Sequence, residues 1–171
     1  LSRAPSKTPV YLPHFVDGDG YATSLILLNT SNVRETGAFR ILDKNGIALP
    51  VKPIDGNSDS TFRYSIKPGG LFRFQTDGSP AIRQDGWIRL IPDANAPAPV
   101  GMGMLHYRRR GVLVTESGIS LTEPTTHARI YVDGSAGRDT AFALSNPSGS
   151  ATSITLNAFG LDGSIRPGSS H

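Results

Sequence analysis

The chain has 171 residues, 37% of them hydrophobic and 18% charged, with 19 glycines and 13 prolines, a turn-rich composition that can build a core. Its formal net charge of +3 sets 17 Lys and Arg against 14 Asp and Glu, interspersed except at Arg108-Arg109-Arg110, which is too mild a bias to argue for nucleic-acid binding. No apolar run approaches the roughly 18 residues that read as a membrane span, and the absence of cysteine removes disulfides, thiolate chemistry and most structural zinc sites.

Leu1 opens the chain without an initiator Met or a charged-then-apolar leader, the pattern expected of a mature or excised segment. From there the sequence predicts short strands at residues 10–16, 23–29, 37–43, 61–66, 71–76, 86–91, 102–107, 112–116, 128–132, 141–145 and 153–159. Alternation is clearest at Phe62, Tyr64 and Ile66 against Arg63 and Ser65, and at Phe72 and Phe74 against Arg73 and Gln75, as in half-buried antiparallel strands. Lys67-Pro68-Gly69-Gly70 between them reads as the tight connection of a hairpin, because Pro presets φ for the first central turn position and Gly accepts the left-handed one. Trp87 is expected in the core of its strand. No window keeps an apolar stripe at helical spacing, and Gly or Pro interrupts nearly every candidate helix. Many strands without helices predict an all-β, antiparallel, immunoglobulin-like β-sandwich.

An internal repeat adds detail. Phe15-Val16-Asp17-Gly18 is echoed by Tyr131-Val132-Asp133-Gly134. The stretch from Thr23 to Ser31 is echoed by that from Thr140 to Ser148, and a third strand with its turn, Phe39 to Gly46, by Ala158 to Gly163. The expected organisation is one complete unit over residues 1–122, with an N-terminal arm, and an incomplete second unit over residues 127–171 that repeats residues 10–48. Antiparallel strands with Asp-Gly turns also resemble one another by composition alone, which is the competing explanation.

Four stretches carry a wider resemblance: Phe15-Val16-Asp17-Gly18-Asp19-Gly20-Tyr21-Ala22-Thr23, Leu27-Leu28-Asn29, Tyr64 to Thr76 around Lys67-Pro68-Gly69-Gly70, and Val114-Thr115-Glu116-Ser117-Gly118-Ile119. Together they resemble a β-rich module that recurs near the ends of large secreted or surface proteins of environmental bacteria. The resemblance spans most of the chain and implies an extracellular or cell-surface setting. It carries no activity or binding residue to transfer. It also implies that the strands after the second Val-Asp-Gly copy extend further than they do here.

Residue types that do chemistry are present without a specific pattern. The histidines His14, His106, His127 and His171 form no HExxH pair, and no Gly-x-Ser-x-Gly elbow supplies a nucleophile, although members of a triad meet only in space. Asp17-Gly18-Asp19-Gly20 resembles the start of a calcium loop, making Asp17 and Asp19 metal candidates, yet the twelfth position, where an EF-hand needs Glu, is Leu28. A plain turn is the simpler reading. Arg108, Arg109 and Arg110 are candidates for an anion or acidic polysaccharide through their guanidinium forks, or else a solvated hairpin tip. Tyr21, Tyr107, Tyr131 and Trp87 offer a sugar-stacking platform if they share an exposed face.

The sequence therefore predicts a non-catalytic structural or adhesive β-module without cofactor. Its expected partners are other copies of itself or neighbouring domains of one surface protein, with polysaccharide as a further partner and no nucleic acid or membrane insertion. The alternative is a carbohydrate-binding accessory module. In the self-associating version residues 1–9 reach a neighbour and Val10, Leu12 and His14 enter its pockets as a donated strand, giving a filament by head-to-tail contact.

Overall fold

A computed structural model describes residues 8–133, 137 and 140–166. Residues 1–7 of the expected arm and residues 167–171 lie outside the described residues. Alternating apolar side chains give eight long strands: β1 (Val10–Asp17), β2 (Tyr21–Leu28), β3 (Glu35–Asp43), β4 (Thr61–Ile66), β5 (Leu71–Gln75), β6 (Gln84–Pro92), β7 (Val100–Arg109) and β8 (Val112–Ser120). There is no helix among the described residues. Two four-stranded antiparallel sheets result, ordered β1-β6-β3-β4 and β5-β2-β7-β8. The architecture is all-β and sandwich-like.

The core lies between the sheets. Leu12, Phe15, Phe39, Ile41, Ile88 and Leu90 of the first sheet and Leu25 and Leu27 of the second are wholly buried. Phe39 is central, its ring 5.0 Å from Phe74 and 5.4 Å from Phe62. Burying each such side chain contributes about 1.5–3 kcal/mol. Gly103 is needed where the sheets approach, because a Cβ there would run into the wholly buried Leu12 side chain. On β1 both Leu12 and Phe15 are buried although three positions apart, and the pairing with β6 shifts register between them. Pro13 stands in that gap. Lacking an N–H, it cannot join the ladder, and an edge strand tolerates it as a bulge.

Two expectations fail here. The strands around Lys67-Pro68-Gly69-Gly70 are not a hairpin: β4 belongs to the first sheet and β5 to the second. The turn itself forms, with Gly69 at φ +69° and the Gly70 amide donating to Lys67 O at 2.8 Å. It carries the chain across the sandwich, so that the two apolar faces meet, Phe62 to Phe74 at 4.6 Å and Tyr64 to Phe72 at 6.4 Å. Asn29 pins this corner: its amide donates to Gly70 O, its carbonyl accepts from Gly69 N, and its Nδ2 donates to Ile66 O at 2.9 Å. Trp87 is only half-buried, on the outer face of the first sheet with its ring 6.0 Å from that of Tyr11, while its neighbours Ile88 and Leu90 point inward. Strand parity decides which residue faces the core, and size does not.

Past β8, Thr122 pairs with Tyr11 and so covers part of the open edge of β1. Of the three strands expected beyond, 128–132 and 141–145 are not strands, and 153–159 contributes only β9 (Ala158–Phe159), paired with β10 (Ile165–Arg166). Phe142 and Leu144 border a wide depression against Trp87 and Arg89, which leaves them 52% and 58% exposed.

Candidate functional site

One end of the second sheet gathers most of the polar chemistry. The turn after β1 places Gly18, Asp19 and Gly20 all at positive φ. It is tied to the β7–β8 hairpin by the Arg108 amide, which donates to Gly20 O at 2.8 Å, and to the 77–83 loop by the Asp19 amide, which donates to Pro80 O at 2.9 Å. Tyr21 and Tyr107, paired across β2 and β7, stack with centroids 4.5 Å apart, and the Arg83 guanidinium lies 5.0 Å from the Tyr21 centroid. The Asp17–Asp19 turn and the arginine hairpin, far apart in sequence, thus meet at one end.

The two carboxylates of that turn do not converge. Asp17 is wholly buried and neither of its oxygens makes a well-formed hydrogen bond, whereas Asp19 is exposed. Burial pushes the Asp17 carboxyl up from its ordinary range, and the nearby Thr76 hydroxyl and Gly78 amide, which pull it down, do not outweigh that. No group of three or more His, Cys, Asp or Glu side chains placed to hold a metal ion occurs among the described residues. Glu35 on β3 is a second buried carboxyl without a well-formed partner, also raised by burial.

The arginines occupy the tip of a two-residue turn. Arg110 at φ +51° and Gly111 at φ +80° join β7 to β8, the geometry in which both central residues are left-handed. All three side chains are exposed. Val10 and Leu12 pair with Leu90 and Ile88 in the chain's own first sheet and are buried there, while His14 stands beside Pro13 in the bulge, half-buried and with its imidazole pKa lowered, mainly by burial. Donating this strand to a neighbour would require exchanging β1.

Sequence reading missed the closest approach to a catalytic constellation among the described residues. Ser24 Oγ lies 2.9 Å from His106 Nε2, and His106 Nδ1 lies 2.6 Å from Glu116 Oε1. Their positions on three neighbouring strands, with His106 opposite both Ala22 and Glu116, bring together residues that no local motif links. This is the order of a nucleophile, base and orienting acid. Two features separate it from a working relay. Ser24 is 1% exposed, so no substrate carbonyl reaches its Oγ. Its strand is paired on both sides, opposite Gln75 and Met104, and the neighbouring Thr23 amide donates to Thr76 Oγ1 at 3.0 Å, so it is not aimed at an oxyanion. The geometry fits a polar clasp that ties β8 to β7 and β7 to β2.

The chain matches no protein-family model, no curated protein and no solved structure with which it was compared. No helix among the described residues is long and apolar enough to cross a membrane.

Proposed function

We propose that this chain is a non-catalytic structural or adhesive β-module of a bacterial extracellular or surface protein, which associates with further copies by strand addition. The observation that carries this reading is β8. It closes one edge of the second sheet, it runs nine residues, eight of them exposed, and it bears Val112, Leu113 and Val114 with Glu116 as its one charge. An open strand edge offers a row of unpaired N–H and C=O groups to another chain. A bulge at Val114, where the β7 pairing shifts register between Tyr107 and Arg108, narrows the regular edge to the stretch after it. The immunoglobulin-like form of the sandwich is supported by the β2–β5 and β3–β6 pairs, which correspond to the B–E and C–F pairs of that fold. The place of β1 beside β6 departs from it, since there the first strand lies beside the second.

Sedimentation velocity tests the reading. The intact chain is expected to associate with rising concentration, and Ser117→Lys, within the regular edge, to abolish this while the fold persists. A monomer at all concentrations would overturn self-association. The carbohydrate-binding alternative draws on Tyr21, Tyr107 and Arg83 at one end of the sheet. The Tyr21 ring is already engaged by both neighbours, which leaves Tyr107 to stack on a sugar. Saturable binding on a glycan array that is lost with Tyr107→Ala would favour that alternative.

A further inference from the structure

We propose that residues 127–166 encode the first three strands of a second sandwich-like unit, which form when their apolar face receives a set of strands of the β4–β8 type. Beyond the likeness in sequence, hydrogen bonds recur at a constant offset, 146 − 29 = 117. Asn29 Nδ2 donates to Val33 O at 2.7 Å, and Asn146 Nδ2 donates to Ser150 O at 2.8 Å. The Ser31 amide and hydroxyl donate to Asn29 Oδ1 at 2.8 and 2.9 Å, and those of Ser148 donate to Asn146 Oδ1 at 3.0 and 2.7 Å. Thr23 Oγ1 bridges the amide and carbonyl of Val16, and Thr140 Oγ1 bridges those of Asp133.

The third element agrees. The Asp43 amide donates to Ile47 O and the Gly46 amide to Asp43 O, at 2.8 and 3.0 Å, while the Gly160 amide donates to Ser164 O and the Gly163 amide to Gly160 O, at 2.8 and 2.9 Å. The Leu42–Ala48 bridge has its counterpart in the Phe159–Ile165 pair. Gly46 and Gly163 share φ values of +78° and +79°. Asn and Ser turns arise from composition anywhere in a chain. A constant offset of these bonds across three separated elements does not follow from composition, although the Val-Asp-Gly echo itself lies one residue closer, at 133 − 17 = 116.

Packing is what differs. Leu25, Leu27 and Phe39 are wholly buried, and their counterparts Phe142, Leu144 and Leu156 are 52%, 58% and 65% exposed. In the first unit the cover comes from later strands: β5 and β7 flank β2, and β4 and β6 flank β3. Asn29 also reaches Ile66 and Gly70, and residues 127–166 contain no counterpart of either. A segment of about 40 residues rarely buries enough surface to hold a fold by itself. A second copy of this chain is not the missing cover, because its β4–β8 are occupied by its own tethered β1–β3, and a tethered segment outcompetes a free one. The occupant is a β4–β8 set that lacks its own first three strands.

Hydrogen exchange on the intact chain, and on the chain extended after residue 171 by a copy of its own residues 55–122, tests this. In the intact chain the amides of Phe142, Leu144 and Leu156 are expected to exchange freely at every concentration. In the extended chain they slow by about a hundredfold or more, and Leu144→Asp removes the slowing. Should mismatched side chains spoil the added strands, a second variant decides independently: the first unit with residues 140–148 in place of 23–31 still unfolds cooperatively. Slow exchange in the intact chain that grows with concentration would make a second copy the occupant and overturn the proposal. So would a grafted first unit with no cooperative transition. Neither result depends on the β8 association measured by sedimentation.

Discussion

Buried carboxyls without well-formed partners are the chain's main local expense. Asp17 and Glu35 are both held above their ordinary range by burial, so each contributes stability that is fully present below the usual carboxylate range and is lost as pH rises through the raised value. Asp17→Asn and Glu35→Gln are expected to gain about 1 kcal/mol each at pH 7 and almost nothing near pH 4, as chemical denaturation at the two pH values would show. Ser24 makes the opposite kind of test. Its buried Oγ is expected to give no adduct with a fluorophosphonate probe by mass spectrometry, and labelling at Ser24 would overturn the non-catalytic reading. Ser24→Ala, which leaves His106 Nε2 without this partner, costs about 1 kcal/mol. Neither feature was visible in the sequence. Ser24, His106 and Glu116 fall on separate strands, and strand alternation does not say which strands are neighbours. Asp17 reads as an ordinary Asp-Gly turn residue until the 77–83 loop is seen to lie over it, with Asp77 and the Gly78 amide among the groups acting on its carboxyl.

At the level of the element, turns carry the decisive information. Arg110 holds a left-handed conformation that Asn adopts more readily, and Arg110→Asn is expected to stabilise the hairpin by about 0.5–1 kcal/mol. The Asn29 side chain donates to the Ile66 and Val33 carbonyls and accepts from the Ser31 amide and hydroxyl at the corner between the sheets, and Asn29→Ala is expected to cost about 2 kcal/mol or more. Asn146→Ala, the same change in the uncovered copy, is expected to leave thermal unfolding unchanged. The alternation of β4 and β5 was legible, as was the turn between them. Their assignment to different sheets was not, because Pro-Gly closes a hairpin and a crossover equally well. What distinguishes the two is the long-range choice of β5 to pair with β2 and of β4 to pair with β3.

For the molecule as a whole, stability is expected to reside in residues 10–122, where the wholly buried side chains lie. Deleting residues 127–171 should shift the midpoint of thermal unfolding by no more than about 2 °C, and circular dichroism would show one cooperative transition in both chains. A large loss would mean that the exposed segment packs on the first unit after all. The all-β, antiparallel class and the positions of eight long strands followed from composition, period-two alternation and turn residues alone, since these act locally and the backbone of each segment has few other options. Sheet membership, the half-burial of Trp87, the meeting of Asp17 with the 77–83 loop and of Ser24 with His106, and the lack of cover over Phe142, Leu144 and Leu156 were settled only by the three-dimensional arrangement. Each of these depends on which distant strands come to lie side by side, and that choice is made by burial summed over the whole core rather than by any short stretch of residues.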